Sequence, residues 1–413
     1  MRIGFFVWEY PPSLVGGLGT YAQNMAPRLV KLGYDVSVFT LNRGGLPTRE
    51  VMEGVEVHRP LIMDMTKGLS LIASDGLNRW GSGLRFFSDI EVYNTLSAAK
   101  FLNELVEKEE RRFDMVCYHD WLSALAGITV QHDAKLPAVF HVHSTEWGRT
   151  NGQGSDAVSR IEEAAAESAD RIITVSNLMK EDLVRHAWPK GKIDVVWNGV
   201  DPSRYDPAKV KREDVAALRS SYGIAPDEKM LLFVGRLSPV KGILSLIQAM
   251  PDVVKRQPKT KLVVLASGEL EREVMALVDG LGLSGSVKLR LEFVPEEQRI
   301  LHYAASDLCV FPSTYEPFGI VTLEAMAMSK PVVAGARGVV GFVEQVVPHG
   351  PERCGMHVNG SDPADIAWGI DEALRDPDQA KAWGANGRRR VEQYFTWDRA
   401  ASETLKVYKK AIR

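Results

Sequence analysis

Cysteine is scarce in this chain, with three in 413 residues, at Cys117, Cys309 and Cys354. They are far apart, which excludes the dense spacing of a disulfide scaffold or a Cys-rich metal module. Cys117 and Cys309 fall inside strand-like apolar runs, where a buried reduced thiol is expected. Net charge is scarce as well: 50 Lys and Arg against 53 Asp and Glu leave −3. No bulk positive field therefore points to nucleic acid or an anionic membrane, and a phosphate ligand would have to be caught by a local site. Long apolar runs are missing, so no segment reads as a bilayer-spanning helix and no stable membrane insertion is expected. The start, MRIGFFVWEYPP, is interrupted too soon for a secretory signal, and the expected location is the cytoplasm. Repeats and low-complexity tracts are absent from the sequence.

What is present is an ordinary globular composition, 45% hydrophobic and 25% charged, in a chain too long for a single core. Short β-branched runs alternate with helical segments, the pattern of parallel α/β layers. Strands are predicted at Ile3–Trp8, Asp35–Thr40, Val55–Arg59, Met115–Tyr118, Ala138–Val142, Arg171–Val175 and Ile193–Trp197. A second series lies at Met230–Gly235, Lys261–Ala266, Ser286–Leu291, Leu308–Phe311, Pro331–Ala334 and Gly355–Val358. Between the two series, NGVDPSRYDPAKVKREDVAALR (198–219) is polar and broken by proline, which reads as an exposed connection. The expectation is two doubly wound domains, 1–200 and 201–395, facing across a cleft, with 396–413 as a terminal segment. Such sheets bind ligands at the carboxyl ends of their strands. Residues 61–92 fit no element and read as an excursion over the cleft.

The richest stretch is PSTYEPFGIVTLEAMAMSKPVVA (312–334). A strand ends at Pro312, and a helix begins near Gly319, whose missing side chain would let a ligand approach the amides of Phe318, Gly319 and Ile320. Helix amides and dipole attract phosphate. Glu316 before the helix and Glu324 within it are acceptor-only groups on either side of that anion site, a layout suited to sugar, diphosphate and ribose in turn. In FVGRLSPVKG (233–242), Arg236 and Lys241 stand above another strand end, where two cations would neutralise a departing diphosphate. VGGLGTYA (15–22) follows the first strand with a tight glycine turn, but it lacks the full dinucleotide fingerprint. YHDWLS (118–123) and FHVHST (140–145) place His119, Asp120, His141 and His143 at strand ends. Zinc there would lack a clear third ligand, so structural or substrate-binding histidines are expected. Asp376 and Asp378 in RDPDQ read as helix caps rather than a metal–diphosphate chelator.

EPFG followed by LEA, with Glu316 and Glu324 in E-x7-E spacing, together with GR…KG at Arg236 and Lys241, resembles retaining glycosyltransferase family 4. The likeness extends through VGGLGTYA, HDW, FHVHS, ITVSN, WNGVD, ASDLCVFPS and YFTWDRAA. It implies the GT-B fold of two Rossmann-like domains facing across a cleft, with Trp397–Ile412 as a helix returning to the first. By position, it implies that Arg236 and Lys241 bind the donor diphosphate and the Phe318–Ile320 amides its distal phosphate. Glu324 would take the ribose hydroxyls and Glu316 the donor-sugar hydroxyls. His143 would lie beside the reacting sugar, and Gly17 would admit phosphate and acceptor. The resemblance further implies retention of configuration, no required metal or other cofactor, and a nucleotide-sugar donor such as UDP-glucose or ADP-glucose with a carbohydrate acceptor.

HDWLSALAGI and FFSDIEVYN (86–94) are similar to acceptor-side segments of glycogen and starch synthases, where Asp120 would stand as a cleft aspartate. Leu14 and Val15, however, replace the lysine-bearing turn of those enzymes, and Gly341 and Glu344 in GARGVVGFVEQV only approximate the usual GG-x-x-E turn. An α-glucan is therefore the expected acceptor, with sucrose-type, trehalose-type and small-glycoside acceptors open beside it. A nucleotide-sugar epimerase and a non-catalytic sensor remain as alternatives. The motifs fix neither a donor base nor an oligomeric state.

Overall fold

In the computed structural model, which describes residues 1–72 and 83–413, the β-branched runs become strands and the segments between them helices. The chain divides into two units, Met1–Trp197 with Ala400–Arg413, and Asn198–Arg399. The connection read at 198–219 lies in the second unit and runs into the helix Arg212–Ser221, which buries none of its residues.

The first unit is built on β1 (Arg2–Phe6), β2 (Asp35–Phe39), β3 (Arg49–Met52), β4 (Val55–His58), β5 (Met115–His119), β6 (Ala138–Val142), β7 (Arg171–Thr174) and β8 (Ile193–Val195). They lie in the order β3-β4-β2-β1-β5-β6-β7-β8. Every pairing is parallel except the β3–β4 hairpin. The chain winds outward from β1 to β4, then restarts at β5 on the other side of β1, so the winding reverses between β1 and β5. All five residues of β5 and of β6 are buried, as a sheet covered on both faces requires. The edge strand β3, REVM, was not among the predicted strands. It alternates exposed and half-buried positions and carries no apolar run to announce it.

The second unit carries β9 (Lys229–Arg236), β10 (Thr260–Ser267), β11 (Val287–Arg290), β12 (Leu308–Phe311), β13 (Val332–Gly335) and β14 (Gly355–Val358). Their order is β11-β10-β9-β12-β13-β14, all parallel, with the reversal between β9 and β12. Its core packs β9, β10, β12 and β13 against the helices Ile243–Arg256 and Pro363–Leu374.

The expected excursion at 61–92 is corrected in its described part. Thr66–Ile72 is helical, and a helix runs from Gly83 to Ala99 before passing into a π-helix at Lys100–Lys108; residues 73–82 lie outside the described residues. The helix predicted at Tyr93–Lys108 therefore begins at Gly83. Leu84, Ser88, Asp89, Ile90, Val92, Tyr93 and Asn94 are all buried, so this stretch shows no one-sided apolar stripe. Within the first unit, Tyr408 from the helix Trp397–Ala411 bonds His141 Nε2 through its hydroxyl at 2.9 Å, and Lys410 Nζ donates to Asp194 at 2.8 Å.

Candidate active site

In the second unit, the reversal point of the sheet brings two loops together. β9 ends at Arg236, and a single 3-10 turn, Pro239–Lys241, leads to Gly242 at φ +69. β12 ends at Phe311, and the turn after Pro312 donates the Thr314 amide to Val240 O at 2.8 Å. A Cβ on Gly242 or Gly360 would overlap the Pro312 carbonyl, so both glycines are dictated by this interlock. The result is direct: Lys241 Nζ donates to Glu316 Oε2, and both side chains are largely buried. Arg236 is exposed, and among the described residues its guanidinium has no hydrogen-bond or ionic partner.

Glu316 is clamped by its backbone, donating to Val339 O at 2.9 Å and accepting from Gly341 N at 2.7 Å. Gly319 then starts the helix Ile320–Ala327 at φ +87. The reason expected for this glycine needs correction. An added Cβ would overlap the Phe342 ring and stand 2.9 Å from Glu316 Cγ, so packing and the left-handed backbone dictate it rather than space for a ligand. Among the described residues the amides of Phe318, Gly319 and Ile320 donate to nothing, which leaves the anion-attracting end of the helix unsatisfied.

Glu324 is buried, with 4% of its surface exposed. Tyr205 OH donates to its Oε1 at 2.7 Å, Tyr303 OH to its Oε2 at 2.8 Å and Arg299 Nη2 to Oε1 at 3.3 Å. Burial works against the charge of Arg299, but Glu324, Tyr205 and Tyr303 together outweigh it and hold the guanidinium above its ordinary pKa. A carboxylate offers about four acceptor positions, so one remains for a ligand hydroxyl.

In the first unit the corresponding groups are of another kind. Gly17 opens the helix Gly17–Lys31 and is exposed, and a Cβ there would meet nothing within 4 Å. The amides of Val15 and Gly16 donate to Glu9 Oε2 at 2.9 and 3.0 Å, so a carboxylate of the chain itself occupies the glycine turn. Asp120 is the first residue of the helix Asp120–Ala134 and takes φ +52, a strained conformation for a non-glycine residue. Its Oδ1 accepts the amides of His143 at 2.7 Å and Ser144 at 3.3 Å, which ties the end of β5 to the end of β6.

The rings of His119, His141 and His143 lie in one stack. Centroids of His119 are 4.4 Å from His141 and 5.7 Å from His143, and the Tyr21 ring stands 4.6 Å from His143. Burial holds His119 and His141 neutral, well below the ordinary histidine pKa; it also lowers His143, against the pull of Asp120. His143 Nε2 and His119 Nε2 are buried without a partner. Behind them, burial raises Glu162 to about 8, opposed by Arg149.

Cys117, His119 and His141 place their donor atoms within 4.8 Å of one another. They fit a metal poorly. His141 is hydrogen-bonded through both nitrogens, to Tyr21 OH and Tyr408 OH, and His119 Nδ1 donates to Phe6 O. Burial pushes the Cys117 thiol up to about 12, away from the thiolate a metal prefers. Asp376 caps its helix by accepting the Asp378 and Gln379 amides, as its sequence position predicts. All three cysteines are free and buried.

Arg236, Lys241, Glu316 and Phe318–Ile320 thus share one sheet end in the second unit, and Gly17, Asp120 and His143 share one in the first. Tyr205, Arg299 and Tyr303 around Glu324, and Glu9 in the glycine turn, were not singled out from the sequence. Arg299 and Tyr303 sit one turn apart on the helix Glu296–Ala305, a spacing that marks a shared face but not what that face meets.

Two doubly wound sheets, each with polar groups at its reversal point, define a Rossmann-like α/β architecture, and comparison with known proteins makes the class definite. Residues 15–204 match the family model described as Glycosyltransferase Family 4, and residues 214–390 that described as Glycosyl transferases group 1. An uncharacterized glycosyltransferase of Methanocaldococcus jannaschii is 34% identical, the match covering 100% of this chain and 99% of the relative. A glycogen synthase of Mycobacterium tuberculosis is 30% identical over 100% of this chain and 95% of its own length. The solved sucrose-phosphate synthase of Thermosynechococcus elongatus shares the fold, with a TM-score of 0.77 at 24% identity over 99% of this chain and 98% of that one. The chain belongs to the GT-B glycosyltransferases. No helix among the described residues is long and apolar enough to cross a membrane.

Proposed function

We propose that this glycosyltransferase moves a hexose, glucose in the first instance, from UDP- or ADP-glucose to an α-glucan with retention of anomeric configuration. The observation that carries the reading is the Lys241–Glu316 pair standing beside a partnerless Arg236 and three unbonded helix amides. A diphosphate brings the negative charge those donors lack, and fixed donors in a partly buried site stabilise it more than water does. In this reading Arg236 and Lys241 take the diphosphate and the Phe318–Ile320 amides its distal phosphate. Lys241 is then shared between the anion and Glu316, whose carboxylate receives hydroxyls of the donor sugar. Glu324 uses its remaining acceptor position for the ribose. His143, neutral and with Nε2 unpartnered, donates to or accepts from the reacting sugar, while Gly17 leaves room for phosphate and acceptor and Asp120 holds the His143–Ser144 backbone.

Chemically, the bond from the anomeric carbon to the diphosphate oxygen breaks and its electron pair stays on the diphosphate. The acceptor oxygen bonds the carbon from the same face and passes its proton to a phosphate oxygen. Arg236 and Lys241 cover the developing charge, so no divalent metal is required, and the buried free thiols suit a reducing cytoplasm. The glycogen synthase relative supports the glucan acceptor. The test is turnover of UDP- and ADP-glucose with glucan, read by mass spectrometry, in wild type and in Lys241→Ala and Glu316→Ala, with EDTA present. Each variant should lose roughly 10²–10³ in kcat/KM; wild-type turnover in either one refutes the roles assigned. Conversion of the donor without any acceptor would instead identify an epimerase, and tight binding without turnover a sensor.

A further inference from the structure

In the first unit, the helix Asp156–Ser168 buries Val158, Glu162, Ala165 and Ala166, so one carboxyl group interrupts an apolar face. Glu162 is 1% exposed. Burying such a group is costly unless it is bonded, and both of its oxygens accept the Glu146 amide, each at 3.0 Å. Arg149 Nη2 donates to Glu146 Oε2 at 2.8 Å and to Glu162 Oε1 at 3.3 Å, while Arg149 Nη1 donates to Ser144 Oγ at 2.7 Å. Glu146 Oε1 in turn accepts the Ser155 amide at 2.9 Å, which ties the short helix Glu146–Arg149 to the start of the longer one.

His143 is therefore held from two sides. Asp120 Oδ1 takes its amide, and Arg149 takes the side chain of the next residue, Ser144. Facing Glu162 are Arg149 and Glu146 from the helix Glu146–Arg149 and Asp120 from the helix Asp120–Ala134, one guanidinium among three carboxyl groups. Of the bonds Arg149 makes here, the one to Glu162 is the longest. With a proton on Glu162, the guanidinium is left to Ser144 and Glu146. Without that proton, the new charge draws Nη2 inward, and the rigid guanidinium plane carries Nη1 away from Ser144.

We infer that Glu162 is a positioning residue for His143, acting through Arg149 and Ser144, and that its protonated form keeps the ring in place. The link to a reaction rests on the transfer reading above; the link from Glu162 to the His143 ring does not. Burial raises Glu162 to about 8 and lowers His143, so the two titrations fall apart. The test is an NMR pH titration of the histidine-labelled full chain in wild type, Glu162→Gln and Ser144→Ala, each checked by its unfolding midpoint. The His143 signal, assigned by its loss in His143→Gln, should show an inflection near pH 8 in wild type and none in either variant. Glucan transfer should follow it: above that pH wild-type kcat falls, by up to about 10²-fold, at constant donor KM, and Glu162→Gln keeps its kcat. No inflection in wild type, an inflection surviving in folded Glu162→Gln or Ser144→Ala, or a donor KM that moves with kcat would each overturn the inference. Absence of glucan transfer, with the inflection present in wild type and lost in the variants, would refute the transfer reading alone.

Discussion

At the carboxyl ends of β9 and β12 the polar groups are charged: Arg236, Lys241 and Glu316, beside the free amides at Gly319. At the carboxyl ends of β1, β5 and β6, in the other unit, the carboxylates of Glu9 and Asp120 accept backbone amides of the chain itself, beside a buried stack of neutral histidines in which His141 is bonded to Tyr21 and Tyr408. The two sheets follow the same winding rule, with reversal beside the first strand of each. The winding therefore sets where chemistry sits, and the side chains grafted there set which chemistry it is. One end carries cations and amides with unmet donors; the other commits its carboxylates to its own backbone amides and leaves buried imidazole edges.

The largest effect that would break this contrast lies in the glycines. Gly319→Ala places a side chain at φ +87 and into the Phe342 ring. The backbone strain alone costs roughly 1–3 kcal/mol, and the overlap adds to it, so the unfolding midpoint should fall together with nucleotide binding. Gly17→Ala meets nothing within 4 Å and should leave stability within about 1 kcal/mol of wild type. Equal melting of the two variants would show that Gly319 is not set by packing.

Acid should sharpen the difference between the units. The folded pKa values of His119 and His141 lie below the ordinary 6.5 because burial excludes the proton. Above that pH neither folded nor unfolded chain binds it, and their stabilisation is fully present. As pH falls below 6.5, the unfolded chain takes up protons that the fold refuses, and stability drops by up to about 1.4 kcal/mol per pH unit for each histidine. Hydrogen exchange, corrected for intrinsic rates, should accelerate in β5 and β6 more than in β9 and β12 on going from neutral pH to about 5.5. Equal acceleration would mean that the stack is not the acid-sensitive element.

The most local effect expected is that of Tyr408→Phe. It removes the hydroxyl from His141 Nε2 and leaves a buried nitrogen unpaired, a loss of about 1–3 kcal/mol in denaturant unfolding. His143 is not bonded to Tyr408, so catalysis should change less than stability.

Most of the site was legible in the residues because its groups lie close in sequence to strand ends. EPFG and GRLSPVKG each follow an apolar run by a few residues, and strand ends are where doubly wound sheets bind ligands. Cys117 and Cys309 were legible as buried thiols for the same reason, being part of those runs. Gly319 was located correctly and explained wrongly: a glycine at a helix start signals missing bulk, but only the position of Phe342 shows what the bulk would strike. The helix from Gly83 to Ala99 was half missed because it is buried on more than one side, and β3 because it is exposed and charged.

The order of strands and helices, the glycine turns and the acidic and basic residues at strand ends were determined by local pattern, since periodicity and turn chemistry act over a few residues. The tertiary structure alone decided that Lys241 meets Glu316, that Tyr205, Arg299 and Tyr303 surround Glu324, that a C-terminal tyrosine bonds His141, and that Arg43, Arg85, Asp64 and Asp89 pair around one cavity. Apart from the i,i+4 pair Arg85–Asp89, those contacts join residues tens to hundreds of positions apart. Their geometry follows from how the sheets wind and their helices pack, which no local run of sequence encodes.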